Sequence, residues 1–187
     1  MVAQILLIAS IFVGAFSYKT AAAQQLPPVR IVIPAAKIDA PIIPVGVTPK
    51  GNLDTPPNFV QAGWYKNGVA PGQIGSAIID GHVDNGASIP GPFKQLKKVN
   101  IGDTIDVKNA GGQILHFVVS RIDAYKTDNF PSKQIFNDYS GALLKIITCH
   151  GKFIASKKTY DQRLVVTAIL QPENFTIAPT SRLISYL

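Results

Sequence analysis
The sequence predicts an all-β domain, mainly strands with short helical pieces, and three features carry that expectation. Apolar residues fall in short runs with no sustained helical spacing. Turn formers separate the runs, since the 187 residues include 15 glycines and 14 prolines. Charged side chains make up only 16% of the chain while 47% is hydrophobic, which allows one domain with a real core and excludes a disordered chain. Many short strands joined by turns read as a closed barrel or a sandwich.

The elements follow in order. Residues 24–28 read as a linker, and the domain is expected over 29–172. It opens with Val29-Arg30-Ile31-Val32-Ile33, a short apolar run closed by Pro34. The run 38–47 carries prolines at 41 and 44, a spacing that suits edge strands and turns and is incompatible with a helix interior. Short helical pieces are expected near 63–69, 93–97 and 132–139. Strand-like runs cover 76–79, 104–107, 114–122, 143–149 and 163–170. Asn109-Ala110-Gly111-Gly112 predicts a hairpin between the Thr104 and Ile114 runs. Residues 173–187 read as an irregular, peripheral tail, and no internal repeat is present.

The N-terminal 1–23 predict export. Val2 to Phe16 is apolar apart from Gln4 and Ser10, and Ala21-Ala22-Ala23-Gln24 resembles a small-residue cleavage site. Such a run is short for a membrane span and right for the apolar part of a signal peptide. Either a cleaved signal or an uncleaved signal-anchor places the domain outside the cytoplasm, tethered to the outer face of the membrane in the second case. The net charge of +7 comes from 18 Lys and Arg against 11 Asp and Glu. Basic residues are scattered, as in Lys97-Lys98 and Lys157-Lys158, with no aromatic-interleaved stripe, so nucleic-acid binding is not expected. A basic surface suits anionic wall polymers or an anionic membrane, or is simply solvated.

The chemistry centres on one residue. Cys149 is the sole cysteine, so an exported chain cannot use it for an internal disulfide; it is buried filler or a nucleophile. It lies in Lys145-Ile146-Ile147-Thr148-Cys149-His150-Gly151, at the end of a strand-like run, and Arg163 opens the next. Far upstream stands Asp80-Gly81-His82-Val83-Asp84. Strand periodicity puts Cys149 on the face of Ile147, with Thr148 and His150 opposite, and puts Arg163 with Val165 and Thr167. Two neighbouring strands with aligned ends would bring thiol and guanidinium to the same mouth of a barrel. Together with His82, this favours the nucleophile and a thiol transferase. Trp64 and Tyr65 read as groove lining or core anchors, Asp84 as a partner of His82 or a turn residue, and His116 as structural. Scattered acids give no case for a calcium site.

These residues resemble the sortase family of cysteine transpeptidases, over about residues 29–171. The strongest pieces are Gly81-His82-Val83-Asp84, Thr148-Cys149 and Arg163-Leu164-Val165-Val166. Supporting pieces are Gly63-Trp64-Tyr65, Pro71-Gly72, Gly75-Ser76-Ala77, Gly102-Asp103 and Phe130-Pro131. Together they look most like class F, with class D or E second. The resemblance implies a closed eight-stranded β-barrel with a groove for an extended sorting peptide. It implies that Cys149 attacks the Thr–Gly carbonyl of a Leu-Pro-x-Thr-Gly-like signal to form a thioacyl enzyme. Arg163 would hold the peptide and stabilise the oxyanion, while His82 would protonate the leaving amine and deprotonate the incoming one. Thr148 and His150 would be substrate-binding positions.

The chain departs from the family's Thr-Leu-x-Thr-Cys at Lys145 and Ile146, and at His150 from the two glycines that commonly follow the cysteine in class F members. That second imidazole would alter the thiol, bind the leaving group or do nothing. The implied partners are the sorting-signal peptide of secreted surface proteins and a peptidoglycan or precursor amine. A monomer is expected. One peptide bond is exchanged for another, so no cofactor and no metal are expected. The competing reading is a non-catalytic exported β-domain that binds wall polymers, with Cys149 buried. Papain-like wall peptidases place cysteine before histidine, and L,D-transpeptidases hold the two close together in one motif; neither order is found here.

Overall fold
The computed structural model describes residues 26–49, 51–84 and 89–172. Among the described residues there are eight strands: β1 (Pro28–Ile33), β2 (Ile38–Val45), β3 (Ala62–Tyr65), β4 (Gly75–Gly81), β5 (Thr104–Asn109), β6 (Ile114–Lys126), β7 (Ala142–Ile154) and β8 (Thr159–Leu170). They close into a barrel in the order β1-β2-β3-β4-β7-β8-β6-β5, with β5 returning onto β1. The β2–β3 and β4–β7 pairs are parallel and the others antiparallel. Closure leaves no free sheet edge, which explains how so many short strands stay paired.

Alternation along each strand divides the side chains into two sets. The inward set, among them Ile31, Ile33, Ala77, Ile79, Phe117, Leu144, Ile146, Leu164 and Val166, fills the barrel. The outward set on β4, β7 and β8 is also apolar at Ile78, Ile147 and Val165. A strand buried on both faces reads as a near-continuous apolar run, as Ile146-Ile147 and Val165-Val166 do. The cover over this outer face is the β6–β7 connection, which holds the five-residue helix α1 (Ser132–Phe136) and supplies Ile135, Phe130 and Phe136. Lys145 fastens it. Its side chain is fully buried on the outer face of β7, and Nζ donates to the Ile135 carbonyl at 3.0 Å and to Asp138 Oδ2 at 2.9 Å. The Ser140 hydroxyl and then this ammonium hold the Asp138 carboxyl down to about 2. The lysine that departs from the family pattern is therefore a structural bolt.

The hairpin expected at 109–112 joins β5 to β6. Several expectations need correction. The piece near 63–69 is not helical: Ala62–Tyr65 is β3, because β2 and β4 offer hydrogen-bonding partners on both sides. Near 93–97 the only helical segment is a 3-10 turn at Leu96–Lys98. Of the expected linker, Pro28 already belongs to β1. The connection after the cysteine is shorter than the sequence suggests, since β7 continues to Ile154 and β8 resumes at Thr159. The expected signal segment 1–23 and the tail 173–187 lie outside the described residues.

Candidate active site
The register brings the sequence-predicted residues to one end of the outer face. In the antiparallel β7–β8 ladder Cys149 lies opposite Arg163, one pair beyond Thr148 and Leu164. In the parallel β4–β7 ladder the last pair is Gly81 with Thr148, so His82 follows on one side as Cys149 follows on the other. Three strands thus deliver a histidine, a thiol and a guanidinium to adjacent ends of a continuous sheet.

His82 leaves β4 into a tightly held turn. Its carbonyl accepts from Phe93 N at 3.1 Å, and Gly91 N donates to Val83 O at 3.0 Å. Gly91 has to be glycine, because a Cβ there would collide with the His82 backbone. The ring stacks on Phe59 with centroids 4.4 Å apart, and Nε2 lies 3.2 Å from the Pro56 carbonyl. A carbonyl only accepts, so this contact assigns the proton to Nε2 and leaves Nδ1 as the basic nitrogen of the neutral ring. Both partners come from the β2–β3 connection.

Asp84 ties this turn to the far side of the site. Its carboxylate accepts from Lys94 Nζ at 2.7 Å and from the Tyr160 hydroxyl at 2.9 and 3.0 Å. The Tyr160 carbonyl in turn accepts from the Thr127 hydroxyl at 2.8 Å and from Arg163 Nη1 at 3.3 Å. Arg163 is further held by Thr127 Oγ1 at 3.0 Å, Gln162 O at 3.1 Å and Thr159 Oγ1 at 3.2 Å. Tyr160 is therefore the joint between the histidine turn and the arginine strand. Sequence reasoning missed it; a tyrosine three residues before the arginine carries no signal until the strands are paired.

Cys149 is half-buried and free. Burial pushes its thiol above the ordinary cysteine range, the Arg163 charge pulls it back, and Asp84 and Asp80 push it up again. The three groups share one end of the sheet, and among the described residues the partners that hold His82 and Arg163 are other groups than the thiol. Thr148 is placed otherwise: buried on the inward face, it donates to the Gly81 carbonyl at 2.7 Å and clamps the cysteine strand to the histidine strand. His150 pairs with Gln162 and, by alternation, faces away from the thiol. His116 is exposed on β6 and contacts Asp106 Oδ1 at 2.8 Å. Trp64 is a core anchor, with Nε1 donating to Val69 O at 3.2 Å, whereas Tyr65 packs on the outer face.

The same outer face carries a cavity of about 410 Å³ between Tyr65, Val69, Ser76, Ile78, Phe136 and Tyr139. It does not reach Cys149. It starts further down β4, so the outward row Ser76, Ile78, Asp80 runs from the cavity toward His82.

Comparisons with known proteins agree with this fold. A family model described as Sortase domain matches residues 31–171. Among solved structures, sortase A from Corynebacterium diphtheriae superposes with a TM-score of 0.59 at 20% identity, over 81% of this chain and 64% of that one. Sortase C1 from Streptococcus agalactiae gives 0.60 at 20% identity, over 78% of this chain and 68% of that one. Sortase C-1 from Actinomyces oris gives 0.58 at 24% identity, over 78% and 75%. The chain thus spans less than two thirds of the Corynebacterium protein, and at these identities the likeness is one of fold. A search of curated proteins returned no match.

Proposed function
This chain belongs to the sortase family, and on that footing we propose that it is a class F-type transpeptidase acting outside the cytoplasm through Cys149, His82 and Arg163. The observation that carries the proposal is the register, with Cys149 opposite Arg163 and His82 one step past the Gly81–Thr148 pair. The substrate is a Leu-Pro-x-Thr-Gly-like signal on a secreted surface protein. The sulfur of Cys149 attacks the threonine carbonyl as its proton passes to His82, and the negative charge that develops on oxygen is met by Arg163. The tetrahedral adduct collapses with loss of the glycine amine, which takes a proton from His82. A thioester remains. An amine of the cell wall then attacks it and gives its proton to His82. A new amide forms and the thiol is restored.

Several features support this assignment. The raised thiol is mostly protonated at neutral pH, so attack requires proton removal, and His82 presents Nδ1 as a base. Thr148 serves as a clamp on the two strands in this reading. A retained N-terminal segment would tether the domain beside its wall substrates.

The test is intact mass spectrometry of residues 24–187 with a panel of Leu-Pro-x-Thr-Gly-type peptides, alongside Cys149→Ala. An adduct on the parent only, discharged by an added amine, is the expected result. No adduct, with Cys149 inert to alkylation in the folded protein, would leave a wall-binding domain instead.

A further inference from the structure
Asp80 is the one residue of the outward β4 row whose placement neither the fold nor the catalytic scheme explains. The row runs from the 410 Å³ cavity at Ser76 and Ile78 to the His82 turn, and Asp80 stands between the two. It is only 7% exposed, and its Oδ1 is buried without a hydrogen-bond partner. A buried acceptor left without a donor costs about 1–3 kcal/mol. The fold makes room for it all the same: Oδ1 lies where a side chain on Gly63 of β3 would be, 2.7 Å from a Cβ built there. Any other residue at position 63 would displace the carboxylate.

The charges around it are all of one sign. Burial comes first and lifts the carboxyl to about 8; a hydrogen bond from its own backbone N–H pulls it partly back, Asp54 adds a further push upward, and no cation acts on it. The Asp80 charge is also felt at the Cys149 thiol. In register Asp80 pairs with Ile147, two residues before the cysteine on the neighbouring strand. Two extended residues and one strand spacing put it roughly 8 Å from the thiol, about two peptide residues from the bond to be cut.

We propose that Asp80 is a specificity-determining residue that receives a basic side chain, lysine or arginine, of the sorting peptide. The inference rests on the reading of this face as the sorting-peptide groove. An extended peptide with its scissile carbonyl over Cys149 that follows β4 toward the cavity passes over Asp80. A neutral donor would satisfy one oxygen. A cation also answers the second carboxylate, Asp54, and keeps Asp80 ionised, so a charged donor is favoured over an amide or hydroxyl. Binding it releases the Asp80 proton, so the preference for basic peptides grows as pH rises toward 8.

The test separates binding from chemistry. Fluorescence anisotropy is measured with full-chain Cys149→Ala and its Asp80→Asn and Asp80→Ser derivatives. The probes are labelled Leu-Pro-x-Thr-Gly-type peptides with lysine, or its isostere norleucine, at each position on either side of the Thr–Gly bond. The expected result is a lysine preference of about tenfold or more at a single position, reduced to near unity in both derivatives, with thermal melts confirming that they fold. Equal binding of lysine and norleucine peptides at every position overturns the proposal, as does a preference that survives both substitutions, or no saturable binding at all. The transpeptidase reading fails separately. Thioacyl adducts without a lysine preference sink only the role of Asp80, and a lysine preference without adducts sinks only the chemistry.

Discussion
At the scale of single residues, the thiol and its charge partner give the sharpest expectations. Burial raises Cys149 while Arg163 holds it partly down, so the folded thiol is a poor nucleophile at neutral pH. Iodoacetamide labelling should be slow at pH 7 and accelerate only above pH 9. Arg163→Ala should move that profile further up and, if the guanidinium meets the oxyanion, lower kcat by about 10²–10³-fold. A profile unmoved by the substitution would detach Arg163 from the thiol. Asp80 makes a stability prediction of its own. Its folded value of about 8 exceeds the ordinary 3.8, so between those values the folded state holds a proton that the unfolded state releases. Its favourable contribution is complete below about pH 4 and is lost as pH rises through 8. Melting temperatures should therefore fall from pH 5 to pH 8.5 more steeply in the parent than in Asp80→Asn, and parallel curves would refute the assignment.

At the scale of elements, two ties hold the site in shape. Tyr160 joins the histidine turn to the arginine strand through Asp84. Tyr160→Phe should cost about 1.5–3 kcal/mol in chemical denaturation, the worth of a hydrogen bond to a charged group. On the proposed mechanism it should also lower kcat more than it raises KM, because His82 and Arg163 drift apart while the proposed peptide groove survives. Lys145 bolts the β6–β7 connection to the outer face. Lys145→Ala removes both bonds from a buried ammonium position and should destabilise the domain by about 2–4 kcal/mol. Amide exchange is expected to speed up over 130–138 before it does in β7 itself; uniform acceleration would mean that the lysine supports the barrel as a whole. The strands carrying Cys149 and Arg163 were legible in the sequence because both are long apolar runs. β3 was not, because four residues around a glycine acquire strand geometry only from β2 and β4 beside them.

At the scale of the whole molecule, stability resides in the barrel interior, where Phe117 is fully buried among β-branched side chains and leucines. Phe117→Ala should cost about 3–5 kcal/mol by urea denaturation, far more than any change at the rim. The sequence by itself determined the all-β class, the hairpin at 109–112 and the identity of the chemical groups, since these depend on composition, local period and residue type. It also carried the family resemblance, because Gly81-His82, Thr148-Cys149 and Arg163 are local strings. What only the tertiary structure decided is which groups meet. Barrel closure sets the parallel β4–β7 pairing, and that register puts His82 beside Cys149 although 67 positions separate them in the chain. The same closure turns Thr148 inward as a clamp, recruits Tyr160 and leaves Oδ1 of Asp80 buried without a hydrogen-bond partner. Register is a property of pairs of strands, and no single stretch of sequence contains it.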